Sequence, residues 1–145
     1  MATGEWINSG PLKLKDLHGR VVLIEFWTFG CINCRDTLPF VKSLADRYRE
    51  KGLTVIGVHS PEFDEERKVE HLRREVTSLG IRYPIVTDND YQTWNAYKVE
   101  AWPTIFLLDK QGRVVRAKGR TNHMENLKQP RSQSVGSLRD FQAVF

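Results

Sequence analysis

Val21-Val22-Leu23-Ile24-Glu25-Phe26-Trp27-Thr28-Phe29-Gly30-Cys31-Ile32-Asn33-Cys34-Arg35-Asp36-Thr37-Leu38-Pro39 is the stretch that decides the architecture. The run Val21 to Trp27 is apolar but for Glu25, as expected of a strand buried on both faces. From Ile32 to about Glu50, Leu38, Val41, Leu44, Ala45 and Tyr48 recur at three- and four-residue steps, which predicts an amphipathic helix with Pro39 inside it. Two thiols spaced C-x-x-C therefore fall where a strand hands over to a helix. Helix N-termini carry backbone N–H groups without intrahelical partners and the positive end of the macrodipole, and both favour a thiolate. Cys31 is the candidate nucleophile. Cys34, one turn on, is within reach to resolve a mixed disulfide formed at Cys31.

Other uses of a cysteine pair fit less well. A closed zinc site needs four ligands, whereas the chain has two cysteines and four scattered histidines, His18, His59, His71 and His123. A static disulfide closing so short a loop would constrain the unfolded chain little. The carboxylate at Glu25 has two readings: a buried acid able to exchange a proton with Cys34, or a residue facing an edge and paired with a Lys or Arg.

Working outward, Lys51-Gly52 ends the helix, and Leu53 to His59 reads as a second buried strand. Strand, helix, strand implies a right-handed βαβ unit with a parallel pair. Upstream, Glu5 to Pro11 reads as an irregular lead-in, Leu12-Lys13-Leu14 as a short strand, and Asp16 to Gly19 as a turn. Downstream, Ser60 to Phe63 is a loop and Asp64 to Leu79 a surface helix whose charged run, Arg67-Lys68 and Arg73-Arg74-Glu75, is its wet face. Tyr83 to Val86 is a short strand, Asp88 to Asp90 a turn into a helix carrying Trp94 and Tyr97, and Ile105 to Asp109 a strand that returns through Lys110 to Arg113 as Val114 to Ala117. Pro103 opens a strand, where a missing N–H is tolerated. At the C-terminus, Asn122 to Gln129 reads as a short helix, Pro130 to Ser137 as a linker, and Leu138, Phe141, Val144 and Phe145 have helical spacing.

The 145 residues suit one domain, with its core at about 6–120 and the segment 121–145 the least legible. A net charge of +4 with signs interspersed argues for a solvated surface, not for nucleic acid. No apolar run has the length of a membrane span, and Met1-Ala2-Thr3-Gly4 lacks signal-peptide character. The two cysteines do not decide the compartment, which is periplasmic or otherwise extracytoplasmic if a leader or anchor has been removed and cytoplasmic if not.

These residues together resemble the thioredoxin superfamily, in its TlpA/ResA-like branch and in the thioredoxin-like module of DipZ-type and NHL-repeat proteins. The resemblance runs from about Trp6 to Gly119 and is carried by Gly19 to Cys34, Pro39, Val58-His59-Ser60-Pro61-Glu62-Phe63 and Trp102-Pro103-Thr104. It implies an α/β fold: a thioredoxin-like central mixed β-sheet flanked by helices on both faces, with a TlpA/ResA-type helical insertion near Asp64 to Leu79. It implies an accessible Cys31, a more buried Cys34, Glu25 as the buried proton-transfer acid, and a cis Trp102–Pro103 bond presenting Trp102 backbone groups to an extended substrate. Trp102, Pro103, Trp27, Phe29, Ile32 and Asn33 form the expected substrate-binding set. Two features depart from the pattern. Ile32-Asn33 replaces the Gly-Pro of thioredoxin itself, and Pro130 with the Ser/Gly stretch interrupts the expected last helix.

The function expected is a thiol–disulfide oxidoreductase reducing protein disulfides, with no cofactor beyond the redox-active Cys31–Cys34 pair. Its partners would be a disulfide-containing protein and a separate thiol reductant, with the chain acting as a monomer. Two alternatives remain on the same fold. One is a thiol peroxidase, because Thr28 stands three residues before Cys31 as in peroxiredoxins, although Ile24 occupies the place of their upstream proline. The other is a metal chaperone or redox-gated binding module, against which copper carriers space their cysteines one residue further apart.

Overall fold

The computed structural model describes residues 4–120; the expectations for Met1 to Thr3 and for the helix, linker and terminal segment between Asn122 and Phe145 lie outside them. Nine elements follow in order: β1 (Trp6–Ile7), β2 (Val21–Trp27), α1 (Ile32–Tyr48), β3 (Leu53–His59), α2 (Val69–Ser78), β4 (Ile85–Thr87), α3 (Gln92–Ala96), β5 (Thr104–Leu108) and β6 (Val114–Lys118). The strands form one mixed sheet in the order β1-β4-β3-β2-β5-β6. β2 lies parallel to β3 over its whole length, from Val21 opposite Leu53 to Trp27 opposite His59, and antiparallel to β5. The two predicted central strands are thus observed with their predicted bounds.

Alternation along β2 divides the core. Val21, Leu23 and Trp27 face a cluster closed by Cys34, Leu38, Val41 and Leu44 of α1 and Leu72 and Val76 of α2. Val22, Ile24 and Phe26 face a second cluster with Trp94, Val99, Phe106 and Leu108. All seven residues of β2 are buried, Glu25 among them. Fully burying one large apolar side chain stabilises by roughly 1.5–3 kcal/mol, so truncating an apolar residue anywhere along this strand is costly.

Three expectations are corrected. The lead-in contains β1, whose Trp6 and Ile7 pair antiparallel with Val86 and Ile85. Leu12 to Leu14 is not a strand; Leu14–Leu17 is a single 3-10 turn, and Leu12, Leu14 and Leu17 pack half-buried on the second cluster. The surface helix is also broken. Asp64–Arg67 forms a 3-10 turn and α2 starts only after Lys68, whose backbone is extended. That break allows Glu66 to turn inward, where it is only 4% exposed.

Candidate active site

Cys31 caps the N-terminus of α1, and its sulfur accepts a hydrogen bond from the Cys34 backbone N–H at 3.2 Å. Cys31 is half-buried and Cys34 buried, both as free thiols. The donor into the Cys31 sulfur is one of the groups a helix N-terminus leaves unsatisfied. Burial foremost, and then the adjacent Cys31 thiol, push the Cys34 thiol far up. The two sulfurs are therefore unlike: one is reachable and bonded as an acceptor, the other is shielded and held protonated.

Glu25 lies on the same face of β2 as Trp27 and is 0% exposed. Burial raises its pKa from 4.5 to about 7, against a smaller opposing effect of the hydrogen bond donated by Tyr83 Oη to Oε2 at 3.1 Å. Its charge is felt at Cys34. The edge-facing reading of Glu25 is excluded: its neighbours across the sheet are Gly57 and Ile105, in the middle of β3 and β5. Proton affinity near neutrality is what a group exchanging a proton with a thiol requires.

A second polar group lies under the turn before Cys31. The Thr28 hydroxyl donates to Glu66 Oε2 at 2.6 Å, and the same oxygen accepts the backbone N–H of Glu62 at 2.7 Å and of Phe63 at 3.3 Å. His59 Nε2 lies 3.2 Å from the Thr28 oxygen. The backbone N–H of Phe29 donates to the same Nε2 at 3.4 Å. Burial pushes His59 down from 6.5 to about 3, so the ring is neutral. Phe29 stacks on it with centroids 5.3 Å apart. Gly30 is held tightly, because a Cβ there would lie 2.0 Å from Glu66 Oε1.

The Trp102–Pro103 peptide bond is cis. Trp102 Nε1 donates to Ser60 O at 2.8 Å, and its ring lies 4.5 Å from that of Trp94. Ser60 in turn donates to the buried Asp88, which also accepts the backbone N–H groups of Thr93 and Trp94 at the start of α3. The cis-proline loop is thereby tied to the β3 end of the sheet.

Of the expected substrate-binding residues, Trp102 and Pro103 are half-buried, and Ile32 and Asn33 are exposed, Ile32 to 76%. Trp27 and Phe29 do not belong with them. They are 2% and 6% exposed, because Trp27 points into the core with β2 and Phe29 packs between His59 and His71. Residue-by-residue reading missed Tyr83, Glu66 and His59 as parts of the site. His59 lay inside a quoted motif, whereas nothing in the local pattern pointed to Tyr83 or Glu66. The threonine that suggested a peroxidase directs its hydroxyl to Glu66 in the core. Among the described residues no cluster of three or more His, Cys, Asp or Glu could hold a metal ion, and no helix is long and apolar enough to cross a membrane.

Comparison with known proteins places this geometry. Protein DipZ of Mycobacterium tuberculosis is 43% identical over 112 residues, which is 75% of this chain but 16% of DipZ. The thiol-disulfide oxidoreductase ResA of Bacillus anthracis is 33% identical over 104 residues, 72% of this chain and 57% of ResA. A thiol-disulfide isomerase structure from Corynebacterium glutamicum superposes with a TM-score of 0.73 at 28% identity, covering 79% of this chain and 80% of that one. The chain thus spans only a part of the curated relatives it matches. The AhpC/TSA family matches residues 3–117, from ahead of β1 into β6. With β1 to β5 and most of β6 inside that match and both cysteines on its central crossover, the chain belongs to the AhpC/TSA family, in its TlpA/ResA-like branch.

Proposed function

We propose that this chain is a thiol–disulfide oxidoreductase module that reduces disulfides in protein substrates. The observation that carries the reading is the inequality of the two sulfurs: an accessible Cys31 accepting an N–H at a helix N-terminus, and a buried Cys34 whose proton is held beside an acid with pKa about 7. In the forward half-cycle the Cys31 thiolate attacks a substrate disulfide, forming a mixed disulfide and releasing one substrate thiolate. Cys34 gives its proton to Glu25 and attacks Cys31, closing the Cys31–Cys34 disulfide and expelling the second substrate thiolate. The half-cycle requires no cofactor, and a separate thiol reductant regenerates the dithiol. The substrate enters as an extended segment along the Trp102-Pro103 loop, beside the exposed Ile32.

The test is reduction of insulin disulfides with a small dithiol as electron source, run beside a peroxide-consumption assay. The expected result is catalysis in the first assay that is abolished by Cys31→Ser, with Cys34→Ser accumulating a mixed disulfide. Peroxide consumption without insulin reduction would overturn the proposal.

A further inference from the structure

The two oxygens of Glu25 differ. Oε2 receives the Tyr83 hydroxyl at 3.1 Å, and Oε1, fully enclosed, has no hydrogen-bond partner. Tyr83 reaches it from a segment 58 residues away in sequence, just ahead of β4, and is itself 6% exposed. The ionisable groups that interact with Glu25 are Tyr83 and Cys34 of α1; the neutral His59 lies two residues along β3 from Gly57, the cross-strand neighbour of Glu25. Among the described residues Glu25 takes part in no salt bridge. A buried carboxyl oxygen left without a donor is costly to the fold, and a thiol that must be deprotonated lies in the same cluster.

We propose that Tyr83 is a positioning residue for the resolving step: by occupying Oε2 it leaves Oε1 of Glu25 as the oxygen that takes the Cys34 proton. This deepens the thiol–disulfide reading above and rests on it. In the step, the Cys34 S–H bond breaks and its proton goes to Oε1. The electron pair left on sulfur forms the Cys34–Cys31 bond, and the Cys31–substrate S–S bond breaks with its pair leaving on the substrate sulfur, which is protonated from solvent. The Tyr83 hydrogen bond has a second effect. It favours the ionised carboxylate and so keeps the acid available as a base at lower pH than burial alone would allow.

The experiment mixes the reduced full chain with dithiobis(nitrobenzoate) in a stopped-flow instrument. Cys31 releases the first thionitrobenzoate and Cys34 the second, so the two steps separate in one trace. In Tyr83→Phe the first phase keeps its rate, and the second slows roughly two- to tenfold below neutral pH, the kinetic equivalent of one hydrogen bond. Its pH midpoint moves upward. Infrared titration of the Glu25 carboxyl in the same variant shifts upward with it, a change that loss of packing alone would not produce. A second phase with unchanged rate and midpoint in Tyr83→Phe, while Glu25→Gln slows it, overturns this inference alone. A second phase indifferent to Glu25→Gln removes the proton-transfer role of Glu25 and this inference together, leaving the disulfide-reductase activity to be judged by insulin.

Discussion

Two buried polar groups lie under the active-site turn, one beneath Cys34 and one beneath Gly30, and they are built on opposite plans. Glu25 has one donor for two oxygens and a pKa moved to about 7 by burial. Glu66 gathers three donors on a single oxygen, from Thr28, Glu62 and Phe63, and presses its other oxygen against Gly30. The first is short of partners, and burial raises its pKa to about 7. The second holds the turn before Cys31 against the segment that leads to α2. Burial alone does not mark a carboxylate as catalytic; the number of donors around it separates the two cases.

That contrast breaks most visibly at Glu66. Glu66→Leu leaves the Thr28 hydroxyl and two backbone N–H groups without an acceptor, and is expected to destabilise by about 3 kcal/mol or more. Urea unfolding reads the loss, while activity per folded molecule falls far less; a variant of native stability that cannot resolve mixed disulfides would reverse the assignment of roles. Glu25 behaves oppositely. Its folded pKa of about 7 lies above the unfolded 4.5, so the penalty is absent below pH 4.5, grows as pH rises, and is complete above 7. Relative to Glu25→Gln, the wild type should lose about 3 kcal/mol between pH 4 and pH 8, measured as the difference between the two stability curves. His59 has the other sign: its folded pKa of about 3 lies below the ordinary 6.5, so its contribution is present above 6.5 and is lost as pH falls toward 3. Thr28→Val removes one bond to Glu66 and one to His59 and should destabilise by about 2 kcal/mol, with no change in peroxide consumption. Gly30→Ala is expected to be the mildest, about 1 kcal/mol, because the tip of Glu66 can give way at the expense of its hydrogen bonds. In a double-mutant cycle with Glu66→Ala that loss should largely disappear.

Long-period and contiguous signals were legible in the sequence. The seven apolar-rich residues of β2, the helix that follows and the strand at Leu53 to His59 carry their own patterns, and they place the cysteines at the sheet's centre. The inward position of Glu25 and the cis bond before Pro103 came instead from the resemblance to a family. What stayed hidden depends on contacts distant in sequence. β1 is two residues long, too short for any periodicity, and exists because Val86 and Ile85 lie opposite it. Glu66 read as one charge in a wet helix because nothing local shows that the chain stops being helical at Lys68. Tyr83 reads as the start of the strand Tyr83 to Val86, whereas β4 begins only at Ile85, and the partner of Tyr83 is 58 residues away. Trp27 and Phe29 were misplaced for a related reason. Nearness in sequence to a nucleophile does not make a side chain face the solvent, and here the pleat and the His59 ring turn both inward.

Asn8, just past β1, donates from its side-chain amide to the carbonyls of Ile81 at 2.9 Å and Tyr83 at 3.1 Å. The phenol that steadies the acid is thus moored by a residue that precedes the central sheet strands altogether. Shortening the protein to begin at Pro11 would leave all the chemistry-bearing residues in place and still detune them, since the anchor of Tyr83 would have been cut away.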